Sequence, residues 1–367
     1  MMDRRLIEHF DWPFLGIALL ISAFGVITIY GVTYASPPWQ DYVKQIAWIG
    51  IGIVIVAAVA LLDYRLYVKY SLIFYFISLG ALVFLLLFGV EELGVRRWIY
   101  LPVIGQVQPS EFSKISMILV LSWWFSRLRS SEPGFKDMIV PGLLTGVTLL
   151  LILIQPDLGT SLVLIPLFAT YVFASGFSFR KIIIVSLLAL MGAGLAGHKV
   201  LKPYQIKRIT SFLNPEADPL GSGYHLIQSK IAIGSGGMIG KGFKEGTQSH
   251  LNFLPVQDTD FIFAVWAEER GFIGSLILLG LYGFFLLRAF RIARHARDSS
   301  GTYLCIGFIT LVFTQIIINI GMVAGLMPIT GLPLPFMSYG GTACISNFFG
   351  VGIILNVGMR RFPDYKS

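Results

Sequence analysis

The chain has few charged residues, few histidines and almost no cysteine. Only 13% of its 367 residues are Asp, Glu, Lys or Arg, well below the roughly one quarter that is typical of soluble domains. Its two cysteines, Cys305 and Cys344, both lie inside apolar runs, which argues against a disulfide framework or a metal knot. No His/Asp group has metal-ligand spacing, and no basic segment interleaved with aromatic residues suggests nucleic-acid binding.

The chain is instead rich in long apolar runs. Hydrophobic residues make up 55% of the chain, with 29 Phe, and the mean hydropathy is +0.75. These values predict an integral membrane protein. The first apolar run has no small-residue cleavage site and is long enough to remain in the membrane as a span.

Apolar runs of roughly 17 to 25 residues predict membrane-spanning helices. Ten such runs predict an all-α integral membrane protein, organised as a single polytopic domain over residues 1–367. The predicted spans are 13–34, 43–62, 67–88, 109–126, 138–155, 158–176, 181–199, 260–287, 301–323 and 338–358. The segment 200–258 has only short apolar stretches and is predicted to form a large external loop.

Lys and Arg are distributed unevenly between the predicted loops. Sixteen of them lie before the first span, in alternate loops and after the last span, whereas the short opposite loops hold only Lys44, Arg96 and Arg97. By the positive-inside rule, both termini are predicted to be cytoplasmic. The net charge of +8 is therefore attributed mainly to topology and to contact with anionic membrane lipids.

The centre of the external loop is a short amphipathic run, "YHLIQSKIAIGSGGMIGKG" (224–242). It is too short to span, and it predicts a re-entrant or interfacial helix. Gly234, Gly236 and Gly237 would allow left-handed backbone or close packing where a long-chain substrate approaches. The alternative is an ordinary helix C-cap followed by a turn.

Two polar clusters lie at predicted outer ends of spans. In "QPSEFSK", Pro109 suits the first turn of a helix, and Glu111 and Lys114 are three residues apart on one helical face. The two opposite charges either neutralise each other within the apolar zone, or they hold substrate. In "QPDLGTS", Asp157 follows Pro156 and is predicted to cap a helix.

The stretch "LNFLPVQDTDFIFAVWAEERGF" (251–272) places carboxylates at both ends of an apolar run. Asp258 or Thr259 is predicted to cap the helix that follows, which leaves Asp260 surplus to capping at the external membrane boundary. Polar groups of this kind at a membrane are usually paired or functional.

The two glutamates further along that stretch have a simpler interpretation. Glu268 and Glu269 are predicted to pair with Arg270, and Gly271 is expected to let the helix approach a neighbour. A structural role is therefore favoured for both glutamates.

Several motifs together resemble the SEDS (shape, elongation, division and sporulation) family. They are "QPSEFSK", "QPDLGTS", "NPEADPLGSGYHLIQSKIAIGSGGMIGKGF", "GTQSHLNFLPVQDTDFIFAVWAEERGF" and "GLPLPFMSYGGT", and they span nearly the whole chain. Their length and order make the resemblance specific. The stretches "KGFKEGTQSHLNFLP" and "NPEADP" are similar to the RodA branch rather than the FtsW branch. "PVQDTD" stands where the family more typically has "PERHTD".

The resemblance implies a peptidoglycan glycosyltransferase that polymerises lipid II at the outer face of the bacterial cytoplasmic membrane during cell elongation. It aligns Asp260 with the family's essential aspartate, in the role of general base. Lys114, Arg208 and Lys241 are candidates for contacting the substrate pyrophosphate, with Glu111 orienting Lys114. The pyrophosphate makes a divalent cation, Mg²⁺ or Mn²⁺, a candidate cofactor. The expected partner is a class B penicillin-binding protein, a transpeptidase.

Two other classes of function fit part of the sequence. Ten spans with charge pairs and glycine-broken helices also describe a lipid II flippase or transporter. A transporter is expected to concentrate ionisable residues near the bilayer midplane and to show an inverted repeat, whereas here the polar clusters lie at outer ends. A scaffold that only recruits a partner would leave the polar residues of the outer loop without a role.

Overall fold

The computed structural model describes residues 8–33, 41–92, 95–101, 105–128, 133–178, 180, 203–217, 221–250, 253–254 and 256–361. Within these ranges, seven helices are long and apolar enough to cross a membrane. The chain is therefore built as a multi-pass membrane protein. The predicted span 181–199 lies outside the described residues.

Helices and strands are numbered here in chain order. The helices are α1 (Trp12–Thr33), α2 (Asp41–Leu61), α3 (Tyr64–Lys69), α4 (Ser71–Phe88), α5 (Pro109–Phe125), α6 (Phe135–Ile154), α7 (Leu158–Ala174), α8 (Pro203–Leu213), α9 (Ser222–Ser235), α10 (Thr247–His250), α11 (Ile262–Arg294), α12 (Ser299–Val323) and α13 (Gly341–Met359). The strands are β1 (Val90–Glu92), β2 (Val95–Leu101) and β3 (Gly105–Val107). Every predicted span that falls within the described part of the chain coincides with a helix.

Aspartates and a proline fix several helix starts. Asp157 accepts a hydrogen bond from the backbone N–H of Thr160 at 3.1 Å, which confirms the predicted cap of α7. Asp298 caps α12 in the same way through the N–H of Gly301 at 2.8 Å. Pro109 lies in the first turn of α5, as its fixed φ favours. These caps satisfy N–H groups that the helices leave unpaired at their starts.

Helix α13 is largely buried and packs against α2, α5, α11 and α12. Glycines let these helices approach closely. A Cβ on Gly352 would lie 2.9 Å from the Cβ of Val59, and one on Gly52 would lie 2.6 Å from the ring of Phe348. Small residues at such crossings provide the van der Waals contact that drives helix association in membranes.

A small antiparallel sheet differs from the all-α prediction. Strands β1, β2 and β3 are ordered in that sequence between α4 and α5, and Ile99 pairs with Val107. The β2 sequence, VRRWIYL, is rich in β-branched and aromatic residues that favour strands. Gly105, with φ of 84°, starts β3 in a backbone conformation that other residues rarely adopt. The sheet positions Arg97 over the ends of the neighbouring helices.

The glycine-rich segment after α9 ends that helix and packs against α11. Gly236 caps α9, and Gly237 follows with φ of 54°. A Cβ on Gly236 would overlap the carbonyl oxygen of Ala267 in α11. The helix C-cap and turn of the alternative interpretation is therefore present, and the close packing permitted by Gly236 is against another helix of this chain.

Helix α11 is interrupted at Gly271, where φ is 66° and ψ is −164°. Only glycine adopts this region readily. The segment after α9 lies against the interruption, where the N–H of Phe272 donates to the carbonyl of Gly237 at 2.9 Å. The predicted close approach at Gly271 is confirmed.

Candidate functional site

A cavity of about 910 Å3 lies where the starts of α2, α5 and α13 meet the sheet and the turn before α11. Its lining includes three cationic side chains, one carboxylate and several further polar groups. Among these residues are Lys44, Arg97, Arg208, Asp260, Gln108 and Tyr339. A concave site with a few convergent polar groups is the usual form of a small-molecule binding site.

Asp260 lies in a turn and not in the first turn of a helix. Helix α11 begins at Ile262, and its N-cap residue is Phe261, which makes no side-chain capping hydrogen bond. The predicted cap by Asp258 or Thr259 is therefore wrong, because a tight turn separates them from the helix. In this turn the N–H of Asp260 donates to the carbonyl of Val256 at 3.2 Å.

Asn319 in α12 fixes the backbone of Asp260. Its side-chain nitrogen donates to the carbonyl of Asp260 at 3.0 Å and to the carbonyl of Leu332 at 2.7 Å. Asn319 is fully buried. One amide thereby ties the turn before α11 to the loop before α13 and holds the Asp260 carboxylate at the cavity wall.

The loop before α13 makes two further hydrogen bonds to the same turn. The hydroxyl of Ser338 donates to the carbonyl of Thr259 at 2.7 Å, and the N–H of Tyr339 donates to the carbonyl of Asp258 at 2.9 Å. The "LPLPFMSYGGT" motif thus supports the Asp260 turn from one side of the cavity.

Burial raises the pKa of Asp260 from its ordinary 3.8 to about 6. The nearby guanidinium of Arg208 opposes this rise, the charge of Asp258 adds to it, and Arg97 opposes it to a smaller extent. Burial also raises the pKa of Asp258. Desolvation disfavours a charged carboxylate more than the two arginines stabilise it, so Asp260 is a stronger base than an exposed aspartate.

Two arginines approach Asp260 from different elements. Arg208 in α8 donates to the carbonyl of Thr330 at 3.1 Å. Arg97 in β2 donates to the carbonyl of Pro156, while its Nε is buried and has no hydrogen-bond partner among the described residues. Buried donors are nearly always paired, so the Nε of Arg97 is suited to an anionic ligand. The sequence singled out Arg208 but not Arg97.

Glu111 and Lys114 form a buried pair outside the cavity. The Lys114 Nζ lies 2.7 Å from the Glu111 Oε1, and the two side chains are 1% and 4% exposed, respectively. Neither residue belongs to the cavity's described lining. This is the geometry expected of a pair that neutralises itself within the apolar zone.

Lys241 is also outside the cavity lining. Its Nζ lies 2.6 Å from the Glu268 Oε1, and that oxygen accepts a hydrogen bond from the N–H of Gln248 at 3.0 Å. The predicted pairing of Glu268 with Arg270 is therefore wrong, because the loop after α9 supplies Lys241 instead. Glu269 accepts from the N–H of Lys244 at 3.1 Å. Both glutamates hold this loop on α11.

Residues 10–362 match the model of the FtsW/RodA/SpoVE family, described as cell cycle proteins. The chain belongs to this family. It is 38% identical over 360 residues to the peptidoglycan glycosyltransferase MrdB of Escherichia coli K12, covering 98% of this chain and 96% of that protein. It is 33% identical to the peptidoglycan glycosyltransferase RodA of Treponema pallidum, covering 98% of this chain and all (100%) of that protein.

The fold is similar to that of one chain in a solved structure. That structure concerns the coordination of polymerization and crosslinking by a peptidoglycan synthase complex. The TM-score is 0.82 at 31% identity, over 97% of this chain and 99% of the other. The family predicted from the motifs is thereby confirmed.

Proposed function

We propose that this protein is a peptidoglycan glycosyltransferase that polymerises lipid II, with Asp260 as the general base. The names of relatives that cover 98% of the chain support the activity. The observation that supports the role of Asp260 is its position in the wall of a cavity of about 910 Å3 that also contains three cations.

In the proposed reaction, Asp260 takes the proton from the 4-hydroxyl of the acceptor sugar. That oxygen forms a bond to the anomeric carbon of the donor, whose bond to the pyrophosphate oxygen breaks as the electron pair leaves with the pyrophosphate. Direct attack on an α-linked donor gives a β-linked product by inversion, as in inverting glycosidases. A pKa of about 6 keeps Asp260 mostly ionised at neutral pH while strengthening it as a base.

Arg97, Arg208 and Lys44 are the candidates for holding the pyrophosphate. Guanidinium groups donate two parallel hydrogen bonds to phosphate oxygens, and fixed cations stabilise the charge that develops on a leaving group. Glu111, Lys114 and Lys241 remain candidates for the substrate site only in an indirect role, since each contributes to a pair outside the cavity lining.

A divalent cation fits the chemistry of this cavity. Within the described part of the chain, no three His, Cys, Asp or Glu side chains cluster. Mg²⁺, however, is often bound by one or two carboxylates together with substrate phosphates. Asp260 is the carboxylate of the described lining that would hold such an ion, which would neutralise charge on the leaving pyrophosphate.

We also propose a ten-span topology in the bacterial inner membrane, with cytoplasmic termini and the cavity at the outer face. The excess of Lys and Arg on one side supports this orientation. Helix α9 is proposed to be the interfacial or re-entrant helix, and a class B penicillin-binding protein is the proposed partner. The similarity to a chain of a peptidoglycan synthase complex supports that partner.

Positions of the buried charges favour the enzyme over a flippase. Glu111 and Lys114 are the third and sixth residues of α5, and Glu268 is the seventh of the 33 residues of α11. A transporter is expected to bind its substrate and ions near the bilayer midplane. These charges instead lie near the same helix ends that surround the cavity.

The test is incubation of the purified protein with lipid II, with and without its partner, followed by separation of glycan strands. We expect polymer from the wild type. Arg97→Gln should raise the KM for lipid II by about tenfold or more, since a charged hydrogen bond contributes ~1.5–3 kcal/mol. Movement of lipid II across vesicles without any polymer would contradict the proposal and favour the flippase.

A further inference from the structure

A second, mainly apolar cavity of about 420 Å3 opens between α1 and α11. We call it the α1–α11 groove and define it by Phe24, Ile27, Trp266, Arg270, Ile273 and Ile277. Ile273 and Ile277 are 47% and 54% exposed, so the groove faces the lipid rather than the protein core. Its lining does not include Asp260 or the three cations near Asp260.

Arg270 provides the one charged side chain in the described lining of the groove. Among the described residues, no carboxylate lies within ion-pair distance of its guanidinium. The guanidinium instead lies 5.4 Å from the ring centroid of Phe243 and 5.9 Å from that of Trp266. A cation within a spanning helix usually has a counter-charge. The adjacent Glu269 interacts electrostatically with Arg270 but accepts its hydrogen bond from the N–H of Lys244 and forms no ion pair with Arg270.

Trp266 adds an unpaired donor to the same groove. Its side chain is 6% exposed, and its Nε1 is buried without a hydrogen-bond partner in the described part of the chain. A Cβ placed on Gly274, another residue of the lining, would lie 3.8 Å from this Nε1. A buried indole N–H normally finds an acceptor, so the groove offers a cation and an unused donor together.

The interruption of α11 directs Arg270 along the groove. Because Gly271 is non-helical, the Arg270 side chain packs over Gly274, where any Cβ would overlap the Cβ of Arg270. The Arg270 guanidinium and the Trp266 N–H both belong to α11, so the helix backbone rather than a flexible loop fixes their positions.

A residue count along α11 places Arg270 near the expected boundary between lipid headgroups and acyl chains. Arg288, Arg291 and Arg294 mark the opposite end of α11. Counting back the roughly 20 residues that cross a hydrocarbon core from Leu287 puts the other boundary near Ala267. Arg270 therefore lies only ~5 Å inside it at ~1.5 Å per residue, and its long side chain can reach the headgroup level.

We propose that the α1–α11 groove binds an anionic glycerophospholipid. Its phosphate pairs with Arg270 and accepts a hydrogen bond from the Nε1 of Trp266. One acyl chain lies along Ile273 and Ile277. The occupant is a single-charge phosphodiester rather than the prenyl pyrophosphate of the substrate, because a single guanidinium faces the groove. The site is separate from Asp260, so it does not depend on the glycosyltransferase activity.

Quenching of tryptophan fluorescence by brominated acyl chains tests this proposal in nanodiscs. Phosphatidylglycerol and phosphatidylcholine, each brominated, are compared at equal mole fraction, and subtracting the Trp266→Phe signal isolates Trp266. We expect half-quenching of Trp266 at a mole fraction of phosphatidylglycerol about tenfold lower than of phosphatidylcholine, since a charged hydrogen bond contributes ~1.5–3 kcal/mol. Arg270→Gln should abolish the preference, and Arg270→Lys should keep most of it.

Arg291→Gln is the matched control, because Arg291 is exposed near the other end of the same helix, and it should leave the preference unchanged. Equal quenching of the wild type by both lipids overturns the proposal, as does a preference that survives Arg270→Gln. Relief of the quenching by added lipid II also overturns it, because the groove would then bind the substrate lipid. If Arg270→Gln does not fold, the wild-type comparison of the two lipids decides.

Discussion

Loss of one charge from the buried Glu111–Lys114 pair should destabilise the protein more than loss of both. The two groups are 2.7 Å apart and almost completely buried. Glu111→Gln would strand the Lys114 ammonium, and Lys114→Met would strand the carboxylate. Breaking a buried pair on one side costs about 3–5 kcal/mol, whereas replacing both members by uncharged groups of similar volume is often neutral or stabilising.

Unfolding in detergent measures this difference across the two single variants and the double variant. The double variant should recover most of the unfolding temperature lost by either single variant. Asp41 and Lys44 form the matched control, because they have the same three-residue spacing at 3.2 Å but are 28% and 49% exposed. An exposed pair contributes only about 0–1 kcal/mol, so Asp41→Asn and Lys44→Met should have small effects.

If the loss of unfolding temperature in the double variant equals the sum of the two single losses, the two charges do not interact and the pair does not neutralise itself. If the single variants are instead as stable as the wild type but lose polymerase activity, the pair is better interpreted as binding substrate.

Three further predictions concern charge, backbone and topology. Burial raises the folded-state pKa of Asp260 from 3.8 to about 6. The protonated form of Asp260 is therefore favoured by folding. This contribution to the free energy of unfolding is fully present below about pH 4 and is lost as the pH rises through about 6. Asp260→Asn should thus unfold at a higher temperature than the wild type at pH 7.5 but at the same temperature near pH 4. Gly271→Ala should destabilise by about 1–3 kcal/mol because of its glycine-only backbone conformation. Gly280→Ala, with no neighbouring atom within 4 Å of an added Cβ, should be neutral or slightly stabilising. An impermeant thiol reagent should label a cysteine at exposed Met238 from outside the cell and one at Arg291 only from inside, and the reverse pattern would overturn the proposed orientation.

Apolar run length was enough to predict the long apolar helices within the described ranges, but not the short helices α8 and α10 in the predicted external loop. Lipid cannot hydrogen-bond to backbone N–H and C=O groups, which leaves few alternatives to a helix. The cap by Asp157 was predicted correctly, whereas the cap by Asp258 or Thr259 was not, because a turn separates those residues from α11. The sheet between α4 and α5 was missed because its strands are short and lie in a segment too polar to span. Arg97 was missed with it, since only the pairing of β2 and β3 brings that residue over the cavity.

Contacts between distant segments account for the other errors. The charge sign of Glu268 predicted a cationic partner, and the nearest cation in sequence was Arg270. The partner is Lys241, 27 residues away, because Gly271 and the glycines after α9 allow their backbones to meet. Asp260 and Arg208 were both predicted for the site. Asn319, which fixes the backbone of Asp260, was missed because no motif distinguishes it from other polar residues of a spanning helix.

The proposed mechanism depends on the Asp260 carboxylate acting as the general base of lipid II polymerisation. The most direct measurement compares the initial rates of glycan synthesis by the wild type, Asp260→Asn and Asp258→Asn, each shown to be folded and to bind lipid II. General bases contribute ~10²–10⁴-fold to a rate, so Asp260→Asn should lose at least ~100-fold while Asp258→Asn retains most activity. A folded Asp260→Asn variant that polymerises lipid II at near the wild-type rate would show that Asp260 is not the general base.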